Sequence, residues 1–129
     1  MERNHEVLQL LREPTASLRR AIPATWAGFT TMHESAMADG AVARHTKEAV
    51  ALAISVVKRC DGCIAHHARA AARAGATSAE VAEILGVALL MDGGVASVYA
   101  PRAWDAFVEF RAELDSSSSA PAHATGTMS

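Results

Sequence analysis

The residues best able to do chemistry lie in the run Lys58-Arg59-Cys60-Asp61-Gly62-Cys63-Ile64-Ala65-His66-His67. Two cysteines three apart on a helix have Cα atoms ~5 Å apart, from the helix rise and radius. A disulfide tolerates that separation, so Cys60 and Cys63 can pass between dithiol and disulfide with little backbone movement. They fall at the start of an expected helix, where free N–H groups and the dipole favour a thiolate. His67 follows Cys63 by four residues and shares its face, one turn along. It is placed to act as a base toward that thiol, or to stabilise the thiolate once protonated.

A carboxylate belongs with them. The polar Lys58-Arg59 break marks a reversal between two antiparallel helices. Such a reversal sets Glu48, upstream of the break, beside His67, about as far downstream of it. Glu48 directly precedes the apolar stretch AVALAISVV and is expected to be partly buried, as a proton relay with His67 requires. His66 reads as a surface residue that could supplement the relay.

Each residue also has a plainer reading. A C-x-x-C pair arises by chance, and free Cys packs well in cores. Glu48 could snorkel toward Lys47 or Arg44. Asp61 suits a helix N-terminus, and His33, His45 and His123 read as solvated or capping residues. A c-type haem needs His directly after the second Cys, where Ile64 stands. Zinc could take Cys60, Cys63 and His67, with Glu48 as a fourth ligand. Zinc pairs of this spacing, however, sit on knuckle-like turns rather than in a helix, so neither metal nor cofactor is expected.

The elements that must position these groups are helical, because apolar residues recur at helical spacing and strand alternation is almost absent. Val7, Leu8, Leu10 and Leu11 begin a first amphipathic segment, with a break expected near Glu13 because Pro14 follows. Pro23 opens a second helix carrying Trp26, Phe29 and Met32 at three-residue spacing, to about Met37. A third helix is expected from near Thr46, read as its N-cap, to Lys58. A fourth runs from about Asp61 to Ala74 and ends before Gly75. Thr77 and Glu80 have the spacing of a capping box ahead of a fifth helix, with Val81, Ile84, Leu85, Ala88 and Leu89 on its apolar face. Gly93-Gly94 interrupts it, and a last helix carries Val98, Trp104, Phe107, Val108 and Phe110. The reading is one all-α domain over residues 1–114, with a disordered Ser/Ala-rich tail over 115–129.

Composition bounds what such a domain can do. The chain has 129 residues, 50% hydrophobic and 20% charged, which is enough apolar material for one core. Twelve Lys and Arg against 14 Asp and Glu leave no basic excess to grip a phosphate backbone, so no nucleic-acid partner is expected. The N-terminal residues are charged throughout and lack an apolar signal core. The run 49–57 is far short of the ~18 residues of a membrane span. No membrane association and a reducing, cytoplasmic location are expected, where a Cys pair suits catalysis or metal binding better than a staple. Excess apolar surface on a small Ala-rich domain points to a homo-oligomer.

The run KEAVALAISVVKRCDGCIAHHARAAARAGATSAEVAEILGVALLMDGG resembles the carboxymuconolactone decarboxylase family, in particular its alkylhydroperoxidase AhpD-like branch. The resemblance extends from near Phe29 to Phe110 and rests on Glu48, Cys60, Cys63 and His67 falling together at the family's spacing. It implies a helical bundle with the C-x-x-C pair on a helix hairpin, assembled as trimers or hexamers. It also implies peroxidase or disulfide-reductase chemistry. Cys63 would attack a hydroperoxide, Cys60 would resolve the product, and His67 and Glu48 would relay protons. A dithiol reductant, lipoylated or thioredoxin-like, would then reopen the disulfide. The alternatives are a decarboxylase acting on a lactone, and a non-enzymatic redox-sensing or zinc-binding oligomer. Two positions depart from the pattern. Gly62 stands where peroxidases of the branch carry a relay His, with His66 a candidate substitute. Asp92 stands second in a run that commonly begins Met-Gly-Gly-Gly.

Overall fold

Alanine decides how these helices meet. A computed structural model describes residues 3–118, and the core between its helices is built largely from Ala49, Ala68, Ala71, Ala103 and Ala106 around Leu52, Ile64 and Phe107. Side chains this small let backbones approach closely, so one or two large residues fill each layer. Six helices result: α1 (Arg3–Ala21), α2 (Pro23–Met37), α3 (Arg44–Lys58), α4 (Asp61–Arg73), α5 (Ser78–Asp92) and α6 (Ala96–Ser118). No strand occurs among the described residues, as the sequence periodicity indicates.

Helix α4 lies at the centre, packed chiefly against α3 and α6, while α5 closes the bundle against α3 and α6. Its buried residues Ile64, Ala65, Ala68, Ala71 and Ala72 form a single stripe at helical spacing. Helix α3 buries the matching stripe Glu48, Ala49, Leu52, Ser55 and Val56. The two are joined by a tight reversal in which Arg59 adopts a left-handed conformation, φ 55° and ψ 44°. Its N–H donates to the Val56 carbonyl at 3.1 Å, and the Cys60 N–H donates to that of Ser55 at 3.2 Å. These two bonds close the last turn of α3 and allow α4 to begin two residues later. Gly75, at φ +93°, ends the α4 segment in the same manner.

Four sequence expectations need correction. Helix α1 is continuous through Pro14 rather than broken near Glu13. Both Pro14 and Leu10 are exposed, so the carbonyl deprived of its helical partner can be solvated instead of buried. Thr46 is not an N-cap: Ala43 holds that position, and the Thr46 hydroxyl crosses to α5. Helix α6 continues to Ser118, four residues into the expected tail. His45 is not simply solvated, because its Nδ1 lies 2.8 Å from Glu80 Oε2. His123 and the rest of the expected tail lie outside the described residues. None of the described helices is long and apolar enough to cross a membrane.

Glu80 ties α5 to α3. Its backbone N–H donates to the N-cap Thr77 hydroxyl at 3.1 Å, half of the expected capping box. Its carboxylate accepts from the Thr46 hydroxyl at 2.7 Å. That bond from Thr46, aided by those from His45, holds the Glu80 carboxyl below the usual carboxylate range despite the opposing effect of burial. A depressed carboxyl contributes stability that is present above its unfolded pKa and lost as pH falls through the folded value. Thr46→Val should therefore cost about 1–2 kcal/mol near neutrality. Chemical denaturation at successive pH values checks this: the difference from wild type should shrink below about pH 4.3, and a constant difference would contradict it.

Candidate functional site

Glu48 holds a core position on α3, fully buried at 0% exposure. Its Oε2 lies 2.9 Å from His67 Nδ1 on α4, so the hairpin brings together the two residues that counting outward from Lys58-Arg59 places side by side. With the carboxylate accepting from Nδ1–H, the imidazole is fixed in the tautomer whose Nε2 keeps its lone pair. Neither Lys47 nor Arg44 competes for this carboxylate: the Lys47 ammonium donates to the Ala38 carbonyl, and Arg44 forms no ion pair with an acid among the described residues.

Cys60 and Cys63 are joined as a disulfide, with Cα atoms 5.2 Å apart. Cys60 is the N-cap of α4, and its sulfur accepts from the Cys63 N–H at 3.2 Å. Cys63 therefore sits in the first turn of α4, where the unpaired N–H groups and helix dipole stabilise negative charge on sulfur when the bond is open. Asp61 is in the same turn and is shared between Arg3, at 3.8 Å, and Arg102, at 3.3 Å. It thus also anchors the start of α1 and the body of α6 to this helix end.

Cys63, His66 and His67 open onto a cavity of about 890 Å³ between α1, α2 and α4. Helix α2 contributes Trp26, Phe29 and His33 to its wall. His33, read from sequence as solvated or capping, belongs to a cluster instead. Its ring stacks on that of His67 at 6.4 Å, and it lies 6.0 Å from His66, which meets His67 edge-on at 4.9 Å. The i, i+3, i+7 spacing of Trp26, Phe29 and His33 carried that signal, since it places all three on one face of α2. His66 keeps an exposed edge, yet the crowding of its ring lowers its pKa. Burial is the main cause, followed by the charges of His67 and Arg69, with Glu48 opposing. Below its ordinary value, His66 is a neutral donor and acceptor at pH 7.

Two buried polar atoms here, His33 Nε2 and Glu48 Oε1, have no hydrogen-bond partner among the described residues. A buried polar atom of this kind calls for a partner beyond the protein's own groups. Asp92 Oδ2 is likewise buried without a partner, but Asp92 is not among the residues lining this cavity.

At Gly62, a Cβ would lie 2.9 Å from Leu11 Cδ1. Helix α1 thus packs into the space that any side chain at this position needs.

A helix hairpin that presents a C-x-x-C disulfide beside a buried Glu–His pair defines an all-α protein equipped for thiol redox chemistry. The chain belongs to the carboxymuconolactone decarboxylase family, whose model matches residues 23–106. A crystal structure of an apo carboxymuconolactone decarboxylase family protein from Legionella pneumophila superposes with a TM-score of 0.83. It is 34% identical, and the match covers 86% of this chain and 99% of that one. An uncharacterised protein from Cupriavidus necator is 36% identical over 87 residues, 67% of this chain and 77% of that protein. A second, protein 4 of the cox locus of Paracoccus denitrificans, is 36% identical over 75 residues, covering 58% and 68% respectively.

The contact between Leu11 and Gly62 yields a direct test. Gly62→Ala should incur a contact penalty of at most about 1 kcal/mol, since the obstructing atom is the end of a flexible side chain that can shift, and the gain of Ala over Gly in a helix should offset part of it. Leu11→Ala in the same chain should remove that penalty in a double-mutant cycle. Additive effects would mean that α1 does not rest on this position.

Proposed function

We propose that this protein is a thiol-dependent hydroperoxide reductase of the AhpD-like kind, with thiol–disulfide exchange with an external dithiol as its second half-reaction. The reading rests on one observation above all: a fully buried Glu48 bonded to His67, one helical turn beyond a Cys60–Cys63 pair that faces a cavity.

The steps follow from thiol chemistry. The Cys63 thiolate attacks the outer oxygen of R–O–O–H, breaking the O–O bond and forming Cys63 sulfenic acid. His67 Nε2, with its ring held by Glu48, takes the Cys63 thiol proton as general base and returns it to the departing alkoxide, which leaves as R–OH. The Cys60 thiolate then attacks the Cys63 sulfur. Hydroxide departs with a proton as water, and the disulfide forms. Two electrons have moved from the pair of thiols to the peroxide. An external dithiol, lipoylated or thioredoxin-like, returns them by exchange through a mixed disulfide. Cys63 is the sulfur that faces the cavity and Cys60 caps the helix behind it, which supports these roles. His66 and His33 lie within the same ring cluster and suit the secondary relay that the Gly62 departure would otherwise leave unfilled.

The working form is proposed to be a homo-oligomer, a trimer or hexamer. Leu90 and Met91 on α5 are 81% and 77% exposed, and Ile54 on α3 is 53% exposed. Large apolar side chains exposed in this way suit an interface between subunits.

Three outcomes are expected. Intact-mass spectrometry should show one reversible internal disulfide that disappears in Cys63→Ser, and that variant should lose dithiol-dependent consumption of cumene hydroperoxide. Unchanged consumption would overturn the mechanism. Glu48→Gln, which keeps the size of the side chain, should lower kcat by about 10²-fold. Light scattering after size exclusion should give a trimer or hexamer, weakened by Leu90→Lys; a monomer at micromolar concentration would remove the oligomer proposal.

A further inference from the structure

The cavity in front of Cys63 has a charge bias that the chain as a whole lacks. Apart from histidines, the charged side chains lining it are Arg12, Arg19 and Arg69, in a chain whose net charge is −2. None of the three is in an ion pair among the described residues, nor are Arg44, Arg59 and Arg73 outside the cavity, whereas Arg3, Arg20, Arg102 and Arg111 each meet a carboxylate. The lining also includes apolar Leu8 and Leu11 on α1 and Trp26 and Phe29 on α2, with polar Gln9 and Thr15 among them. The guanidinium of Arg19 lies over the Trp26 ring at 5.9 Å, and Trp26 meets Phe29 edge-on at 5.8 Å. The cation and the aromatic wall therefore form one continuous surface.

The helices set the spacing. Arg69 lies six residues beyond Cys63 on α4, a rise of about 9 Å. Leu11 packs over Gly62, next to Cys63, and Arg19 lies eight residues further along α1, a rise of about 12 Å. Burial and the adjacent Arg73 disfavour the Arg69 charge, with Glu113 giving only a smaller opposing effect; a bound anion would relieve that penalty.

We propose that this cavity selects hydroperoxides whose O–O group is separated from a carboxylate by an apolar chain. The peroxide end meets Cys63, and the carboxylate meets the cationic lining supplied by Arg12 and Arg19 on α1 and Arg69 on α4. The overall change is that of the proposed peroxidase, R–OOH plus two thiols giving R–OH, water and the Cys60–Cys63 disulfide. The inference rests on that reading for the reacting group but not for the anion site. Most of the specificity wall comes from α1, outside the residues matched by the family model.

The test compares a long-chain fatty-acid hydroperoxide with its methyl ester, using full-length reduced protein with excess dithiol. The acid should have the higher kcat/KM, by about tenfold. In the triple variant Arg12→Gln, Arg19→Gln, Arg69→Gln the ratio should fall toward one, while Arg20→Gln, whose side chain pairs with Glu13, should retain it. Single Arg12→Gln and Arg19→Gln changes, at exposed positions, keep the comparison readable if the triple variant does not fold. Equal rates on acid and ester overturn the proposal. A second measurement needs no turnover: calorimetric binding of dodecanoate and dodecanol to the oxidised protein. Dodecanoate should bind about tenfold more tightly, with an advantage that weakens as salt rises. Preference for dodecanoate without consumption of any hydroperoxide would sink the peroxidase reading and leave the anion site standing. Equal binding of the alcohol sinks the anion site itself.

Discussion

A carboxylate held without solvent contact imposes conditions on everything around it. Burying Glu48 among alanines is costly unless a donor reaches it, and the one that does is His67 Nδ1. For that bond to form, α3 and α4 must run antiparallel at close range and in one register. Close range is supplied by the alanine stripes on both helices. Register is supplied by the two-residue reversal, which works only because Arg59 accepts a left-handed backbone that non-glycine residues rarely adopt. The same reversal makes Cys60 a cap and puts Cys63 in the first turn of α4. Carboxylate, imidazole and sulfur pair are therefore products of a single geometric constraint.

Much of this was legible from residue spacing. Glu48 and His67 are nearly equidistant from the Lys58-Arg59 break, and Cys63 and His67 are one helical turn apart. These are local relations, and a hairpin preserves them. Gly75 and Thr77 likewise announce their turns through chemistry that acts over a few residues. The failures have a common cause, which is dependence on distant packing. Pro14 breaks a helix when its orphaned carbonyl is buried, and sequence does not reveal that this side of α1 faces water. Thr46 has the side chain of a cap, but Glu80, on another helix, takes its hydroxyl. His33 looked like a solvated residue because its neighbours in the ring cluster come from α4.

The molecule divides into two layers with different origins of information. The hairpin, α2, α5 and the first part of α6 fall within the segment matched by the family model, residues 23–106. The outer wall over the sulfur is α1, which precedes that segment and is held down by side chains at its start. Asn4 and the His5 backbone N–H donate to Glu109 at 3.4 and 3.2 Å, and the His5 ring meets Glu113. The cavity wall is thus shared: α2 contributes from inside that segment and α1 from outside it. The filling of the space beside Gly62 by Leu11, like the Arg3–Asp61 pair, joins α1 to that segment.

The sequence distances of these contacts differ sharply, and that bears on the order of assembly. The Glu48–His67 bond joins residues 19 apart, whereas Asn4 and Glu109 are 105 apart. Closing the longer loop costs about 1.5 kcal/mol more in chain entropy. The reactive hairpin is thus a low-contact-order unit, able to form from one contiguous stretch of chain, while the latch that secures α1 is a high-contact-order closure. The carboxylate–imidazole pair can therefore close first in folding, before the chain has returned far enough to latch the wall over it.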